Sequence, residues 1–217
     1  MTPATAGREE KVRDAGRSRA AILDVAESLF AERGFDATSL NDIALAAGLS
    51  RGTPSYFFGS KDRLYDAVLE RVFRDREEAT ARAFEPLVAW SEEETDAPVD
   101  DPLAEAAAGY MDFLLERPSF LKLVQREELA GAERLRDVPR DSRAMEDAFG
   151  ALRAVARQRG LRRFDVADAV LLFVSLTFSP LTQQTTFMAS LDRDLEDPRV
   201  RRRHLKLVVS QLLCLIW

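Results

Sequence analysis

The chain has 217 residues, of which 46% are hydrophobic and 31% charged, and its formal net charge is −6 at pH 7. This composition is typical of soluble globular proteins of one to two domains, and no run approaches the roughly 18 apolar residues of a membrane span. The single Cys214 excludes an internal disulfide, and with only one histidine, His204, a Cys/His metal cage is excluded too. Met1–Ala20 is polar rather than signal-like, so we expect a cytoplasmic protein without membrane contact.

The acidic charge is unevenly distributed along the chain. Residues 1–75 hold 11 basic and 12 acidic side chains, whereas residues 76–217 hold 20 basic and 25 acidic ones. The net charge therefore does not exclude nucleic acid, because phosphate contacts need only a few positioned basic groups. Residues 1–16 lack helical periodicity, and we expect them to form a flexible basic arm.

The first helical pattern covers residues 17–33. An apolar stripe at helical spacing predicts an amphipathic helix that ends at Gly34, after which Phe35 is expected to pack back against it. The members of this stripe are Ile22, Val25, Ala26, Leu29 and Phe30.

The stretch Ser39–Phe58 predicts a helix-turn-helix. Its first helix has Ser39 as N-cap with Asp42 at the third helical position, and Gly48 supplies the turn. The second helix of such a pair can enter the major groove of DNA. An ordinary helical hairpin remains the alternative. The residues expected on the exposed side of the second helix are Arg51, Thr53, Ser55 and Tyr56, although Tyr56 is equally compatible with the core.

The second helix can start at either of two residues, Ser50 or Thr53. If Ser50 is the N-cap, Pro54 is the fourth helical residue and removes a backbone hydrogen bond. If Thr53 is the N-cap, Pro54 takes the first helical position, where proline is favoured. We favour the start at Thr53, which predicts a helix of about two turns.

Residues 61–217 predict a larger helical domain, so the fold class is all-α with about nine helices. Ser60 caps a helix that bends or ends at Pro86, the acidic stretch 91–102 is expected to be a solvated loop, and Pro118 opens a later helix. The other expected helices cover residues 103–116, 142–159, 165–177 and a C-terminal segment from about Pro198. A helix is also expected to continue over residues 181–191 after an interruption at Pro180.

Two of these helices carry more apolar surface than one protomer can cover, which is what an isologous dimer needs. The residues predicted at the dimer interface are Val166, Val170, Val174, Val200, His204, Leu207, Val208, Gln211, Leu212 and Leu215. The aromatic side chains suit an apolar or aromatic ligand, although residues of this kind are more often plain core than pocket lining. The candidate pocket residues are Trp90, Tyr110, Phe113, Leu123, Phe149, Phe173, Thr177 and Phe178.

The segment Ile22–Leu69 resembles the TetR/AcrR family of transcriptional regulators, through Gly34-Phe35, the IALAAGLS and RGTPSYFF segments and GSKDRL. The resemblance implies an all-α homodimer with a DNA-binding domain at residues 17–60 and an effector-binding and dimerisation domain at residues 61–217. It further implies repression at a palindromic double-stranded DNA operator, relieved by a small molecule. Pro54 and Ser55 depart from the common family pattern. The residues that the resemblance places on DNA are Arg17, Arg19, Thr38 or Ser39, Arg51, Gly52, Thr53, Ser55, Tyr56 and Lys61.

Two other functions remain open at this point. An activator or an effector-independent DNA-binding protein would carry the same N-terminal residues, and a helical ligand-binding protein or enzyme would keep them only as scaffold. The sequence shows no nucleophile and base pair, phosphate loop or metal spacing, so we expect no catalytic residues, cofactor or metal.

Overall fold

The structure, a computed structural model, describes residues 3–93, 97–136, 138, 143–158 and 163–216, with side chains from Asp14 onward. These ranges contain nine α-helices, a 3-10 turn at Glu133–Leu135 and a π-helical turn at Gln184–Met188, and they contain no strand. The all-α prediction is therefore confirmed. The helices are α1 (Pro3–Arg33), α2 (Leu40–Ala46), α3 (Thr53–Phe58), α4 (Lys61–Glu92), α5 (Asp100–Glu116), α6 (Pro118–Leu129), α7 (Arg143–Gln158), α8 (Val166–Thr182) and α9 (Pro198–Ile216).

The helix α1 is longer than the sequence pattern predicts. It begins at Pro3 instead of Arg17, so the prediction of a non-helical start is wrong. Residues 8–13 are mostly Arg, Glu and Lys, which favour a helix by intrinsic propensity without forming an apolar stripe. Periodicity therefore cannot detect this part of the helix, and the flexibility of residues 1–16 stays a prediction.

Proline interrupts neither of the two helices in which it lies. The helix α4 continues through Pro86 to Glu92, because buried Phe84 and Leu87 keep both flanks packed although one backbone hydrogen bond is lost. The helix α8 likewise continues through Pro180 to Thr182. The predicted interruption at Pro180 is therefore wrong. Helical backbone does continue over most of residues 181–191, as the end of α8, the π-helical turn and a further helical pair at residues 189–190. No helix in the described ranges is long and apolar enough to cross a bilayer.

The chain divides into two compact units. The N-terminal unit comprises Met1–Val72 together with Lys122–Pro139, and the C-terminal unit comprises Phe73–Leu121 together with Arg140–Trp217. The start of α4 and the end of α6 both pack within the N-terminal unit, whereas the sequence analysis placed the domain boundary after residue 60.

Each unit has its own aromatic core. In the N-terminal unit, Phe35 stacks on Phe30 with ring centroids 6.1 Å apart and lies 5.1 Å from the ring of Tyr65. This confirms that Phe35 packs back after α1, which Gly34 ends with φ +86° and a backbone hydrogen bond to the Phe30 carbonyl oxygen. In the C-terminal unit, Phe173 is buried among other rings.

Candidate DNA-binding surface

The helix α2 starts with the predicted capping box. The Asp42 amide donates to the Ser39 hydroxyl oxygen over 3.1 Å, and the Ser39 amide donates to Asp42 Oδ2 over 2.9 Å. The hydroxyl of Ser39 also donates to that carboxylate, and these bonds lower the pKa of Asp42. The N-terminus of α2 is thereby fixed with Ser39 exposed.

The turn after α2 and the start of α3 follow the geometry that the sequence favours. Gly48 takes a left-handed conformation with φ +66°, and the helix α3 begins at Thr53 rather than near Ser50. Pro54 lies in the first turn of α3, where its missing N–H costs nothing. The N-cap position falls on Gly52, one residue before the predicted cap, and Ser50 and Thr53 share a 2.7 Å hydroxyl hydrogen bond across the turn.

One face of α3 is exposed and the other anchors the helix. Arg51 precedes α3 and forms no hydrogen bond or ion pair with any described residue, and Ser55 is exposed as well. Tyr56 is 84% exposed, which places it on the surface rather than in the core. Pro54 and Phe58 are the buried residues of α3. The helix is therefore held by its apolar face while it presents a polar edge.

The two other predicted phosphate contacts differ in availability. Thr38 is 1% exposed and its hydroxyl donates to the Gly34 carbonyl oxygen over 2.8 Å, so Thr38 stabilises the turn after α1 and Ser39 remains as the candidate. Lys61 is half-buried. Its Nζ donates to the Phe35 carbonyl oxygen over 2.9 Å and lies 4.2 Å from the centroid of the Phe35 ring. Lysine has three donors, so two N–H groups stay available for an anion.

The predicted arm residues both lie within α1. Arg17 is exposed and pairs with Asp14 one turn earlier. The guanidinium of Arg19 lies 4.9 Å from the centroid of the Phe58 ring, so Arg19 connects α1 to the last residue of α3. Because Arg19 is also exposed, it keeps donors directed to solvent beside the α3 surface.

Two arginines form contacts that the sequence did not predict. Arg126 on α6 bonds to the end of α1, and Arg134 in the 3-10 turn after α6 bonds to the start of α4. Arg126 donates from Nε to the Ala31 carbonyl oxygen over 3.0 Å and from Nη2 to the Glu32 carbonyl oxygen over 2.7 Å. These are carbonyl groups that the end of α1 would otherwise leave unsatisfied. Arg126 lies more than 90 residues from each of these partners in the sequence, so no local sequence pattern could predict the hydrogen bonds.

Arg134 forms the second of these contacts. Its guanidinium lies 4.1 Å from the centroid of the Phe35 ring and donates to Asp62 Oδ1 over 2.7 Å. That hydrogen bond lowers the pKa of Asp62 at the start of α4. Arg134 therefore holds the N-terminus of α4 next to the turn that precedes α2.

The predicted pocket residues divide between the two units. Tyr110, Phe149 and Phe173 form one buried cluster in the C-terminal unit, with the ring of Phe173 5.3 Å from Tyr110 and 6.0 Å from Phe149. Phe113 joins it directly, with its ring centroid 6.4 Å from that of Tyr110, whereas Phe178 connects to Phe113 through Phe120, at centroid distances of 6.4 and 5.7 Å.

The remaining predicted pocket residues lie around or outside this cluster. Thr177 is fully buried and its hydroxyl donates to the Phe173 carbonyl oxygen over 2.8 Å, whereas the Trp90 indole N–H donates to the Ala97 carbonyl oxygen over 3.0 Å. Leu123 is buried in the N-terminal unit, so it is not a member of the cluster. Phe84 also belongs to the cluster, with its ring 5.1 Å from Phe173, and it was not predicted because α4 was expected to bend or end near that residue.

The predicted dimer residues lie on two sides of their helices. Val208 and Leu212 are 0% exposed and pack in the core of the C-terminal unit, so the prediction that they face a partner is wrong. The apolar stripe of α9 is wide, and one edge of it packs in the protomer core. The stripe alone therefore could not show which of its residues are buried there. The other eight retain exposure: Leu207 and Gln211 are exposed, and the half-buried ones are Val166, Val170, Val174, Val200, His204 and Leu215.

The most exposed apolar side chains of this region are ones that the sequence analysis did not select. Leu171 on α8 is 65% exposed, and Phe187 in the π-helical turn is 59% exposed. His204 is oriented by its Nε2, which lies 2.7 Å from the Leu176 carbonyl oxygen and donates to it. Within the described ranges, no group of three or more His, Cys, Asp or Glu side chains is placed to hold a metal ion.

Comparison with known proteins identifies this architecture. Residues 22–68 match the family described as bacterial regulatory proteins, tetR family, and residues 98–211 match a tetracyclin repressor-like C-terminal domain. The chain belongs to the TetR family. It is a DNA-binding regulator of transcription rather than an enzyme.

Individual relatives agree with the family assignment. The HTH-type transcriptional repressor NicS of Pseudomonas putida is 26% identical over 196 residues, which cover 88% of each chain. The HTH-type transcriptional repressor KstR2 of Rhodococcus jostii is 41% identical over 75 residues, which cover 35% of each chain. A crystal structure of a TetR-family regulator from Mesorhizobium loti matches the fold with a TM-score of 0.63 at 22% identity, over 92% of this chain and 96% of that one.

Proposed function

We propose that this TetR-family regulator is a cytoplasmic repressor that binds a palindromic operator as a homodimer and is released by a small apolar or aromatic effector. The observation that carries the proposal is the short helix α3. Pro54 and Phe58 fix it to the N-terminal unit, while Arg51, Ser55 and Tyr56 remain exposed along its outer edge. A short helix anchored on one face and polar on the other fits a major groove.

The roles of the exposed side chains follow from their chemistry. Arg51 is unpaired among the described residues, and bidentate contact of arginine with guanine is the commonest specific base contact. Lys61 stands at the N-terminal end of α4, where backbone amides favour an anion, so it is assigned to a phosphate. Ser39 is exposed at the start of α2, and a phosphate there would have to replace the Asp42 carboxylate to which its hydroxyl and amide donate. The proposal therefore separates a base-reading residue from residues that position the protein on the backbone.

Repression and dimerisation rest on different support. NicS and KstR2 are both named as transcriptional repressors, which favours repression for this chain. Exposed Leu171 and Leu207 on α8 and α9 favour a second copy as partner. In such a dimer the two α3 helices would read half-sites about 34–36 Å apart, one turn of the DNA helix.

Release by an effector is assigned to the aromatic cluster around Phe173. The helix α4 supplies Phe84 to that cluster and Tyr65 to the core of the N-terminal unit, so one continuous helix has residues in both cores. A ligand that binds with different affinity to two positions of α4 would change operator affinity, with a typical coupling of about 1–3 kcal/mol.

The test is titration of the full chain against its own upstream DNA and against a random duplex, from 50 to 200 mM salt. Arg51→Ala should weaken upstream binding by about 1–3 kcal/mol while sparing the random duplex. Lys61→Ala should weaken both equally and reduce the salt slope by about one unit. The matched control is Arg157→Ala, an exposed arginine on α7 that should change neither.

Three outcomes of these experiments would change the proposal. Absence of salt-dependent binding to the upstream region would contradict the assignment of an operator there. Equal losses on both duplexes for Arg51→Ala would move that residue to the phosphates. A reporter placed behind the upstream region should be silenced by the protein, and a rise in its output would replace repression by activation.

A further inference from the structure

A cavity of the C-terminal unit lies between the π-helical turn and α9, apart from the aromatic cluster. Its volume is about 370 Å³, which is within the range of small-molecule sites. Its apolar wall includes Met188, Leu195 and Leu207, and its polar groups are Arg193, Arg203 and His204. No carboxylate lines it. The cavity therefore combines an apolar wall with two arginines and one histidine.

The two guanidinium groups of this cavity are uncompensated. Neither Arg193 nor Arg203 forms an ion pair or a side-chain hydrogen bond with any residue that the structure describes. Two of the four carboxylates in the adjacent loop are engaged in turns: Asp194 Oδ1 accepts from Gln184 Nε2 over 2.7 Å, and Asp197 Oδ1 accepts from the Arg199 amide over 2.7 Å. The other two, Asp192 and Glu196, are exposed and form no ion pair with Arg193 or Arg203.

The backbone around the cavity is unusual at two positions. Met188 closes the π-helical turn Gln184–Met188, a rare conformation that occurs often at functional sites. Asp192 has φ +51°, and this left-handed residue lets the Arg193 amide donate to the Met188 carbonyl oxygen over 3.0 Å. The strained turn thus places Arg193 at the cavity. His204 lines the cavity, but its Nε2 already donates to the Leu176 carbonyl oxygen and is not available to a ligand.

We propose that this cavity binds a small amphipathic carboxylate, with the apolar body on Met188, Leu195 and Leu207 and the carboxylate on Arg193 and Arg203. Guanidinium groups match a carboxylate in geometry and charge, and such charge-assisted hydrogen bonds are about twice as strong as neutral ones. A neutral apolar ligand would leave both guanidinium groups unpaired. The site shares no residue with the aromatic cluster to which the effector is assigned above.

The experiment is calorimetric titration of the full chain with octanoate and with 1-octanol, which has the same chain length without the charge. Octanoate should bind more tightly than 1-octanol. The variant Arg193→Gln/Arg203→Gln should bind octanoate about tenfold or more weakly. The variant Arg199→Gln/Arg202→Gln removes the same charge from residues outside the cavity and should bind as the wild type does.

Three results would overturn the proposal: no octanoate binding, equal binding of octanoate and 1-octanol, or equal loss in both double variants. If the first double variant fails to fold by circular dichroism, Arg203→Gln alone replaces it, because Arg203 is exposed and its loss should still weaken octanoate binding severalfold. His204 and Leu207 also belong to the proposed dimer face, so oligomeric state is measured separately by light scattering. Operator titration is independent of octanoate, so failure here is distinct from failure of the proposed regulator function.

Discussion

The hydroxyl of Tyr65 donates a 2.6 Å hydrogen bond to Glu127 Oε1, and this bond joins α4 to α6 within the N-terminal unit. Tyr65 is 1% and Glu127 5% exposed. Burial of the phenol, followed by its bond to the carboxylate, raises the pKa of Tyr65 far above its usual range. The phenol therefore stays protonated and serves as the donor that a buried carboxylate requires.

Tyr65→Phe should lower the free energy of unfolding by about 1–3 kcal/mol, because the buried Glu127 carboxylate loses its donor while the ring packing stays. The measurement is urea unfolding at pH 7. Tyr56→Phe is the matched control: the hydroxyl of that exposed residue has no partner among the described residues, so its loss should change stability by less than about 0.5 kcal/mol. Equal effects of the two substitutions would show that the Tyr65 bond contributes nothing.

Gly34→Ala should be more destabilising than Gly48→Ala. Both glycines have positive φ, which costs an L-residue about 1–2 kcal/mol. At Gly34 an added Cβ would also lie 3.0 Å from Nη1 of Arg126, whereas at Gly48 it would meet nothing within 4 Å. Hydrogen bonds to Ala31 and Glu32 hold that guanidinium in place.

A double-mutant cycle isolates the steric part of the Gly34 effect. In an Arg126→Ala background, Gly34→Ala should cost no more than Gly48→Ala, as measured by thermal unfolding of the four variants. An unchanged cost in that background would assign the whole effect to the backbone conformation.

Asp42→Asn should destabilise the protein at neutral pH but not in acid. Hydrogen bonds from Ser39 lower the pKa of Asp42 in the folded state, so this contribution is present above the unfolded pKa of about 4 and is lost as the pH falls through the folded value. The difference in urea midpoint between wild type and variant should therefore shrink from pH 7 to pH 3. Asp36→Asn, at an exposed carboxylate without a hydrogen bond to any described residue, should show no such trend.

Phe173→Ala should lower the free energy of unfolding by about 3–5 kcal/mol if the ring is core, because it is buried against Phe84, Tyr110 and Phe149. Phe178→Ala should cost less, since that ring is only half-buried. Chemical denaturation of both variants without ligand gives the comparison. A cost below about 1 kcal/mol at Phe173 would indicate that the ring lines open space for an effector.

Elements whose signals are local could be predicted from the amino-acid sequence alone. The capping box of Ser39 and Asp42, the turn at Gly48 and the start of α3 at Thr53 all follow from neighbouring residues, since caps and turns are satisfied within a few positions. The apolar stripe of α1 was equally readable from Ile22 onward. What preceded that stripe was missed because helix propensity without amphipathic periodicity leaves no pattern.

Which surfaces those elements share depends on how distant helices pack in three dimensions. The apolar stripe of α9 contains both Val208, which is buried in its own protomer, and Leu207, which is exposed, and a stripe cannot distinguish the two environments. The contacts of Arg126 and Glu127 with α1 and α4 join residues more than 60 positions apart. Hydrogen bonds and cavities of this kind depend on where distant helices meet, and helical periodicity encodes only which face of one helix is apolar.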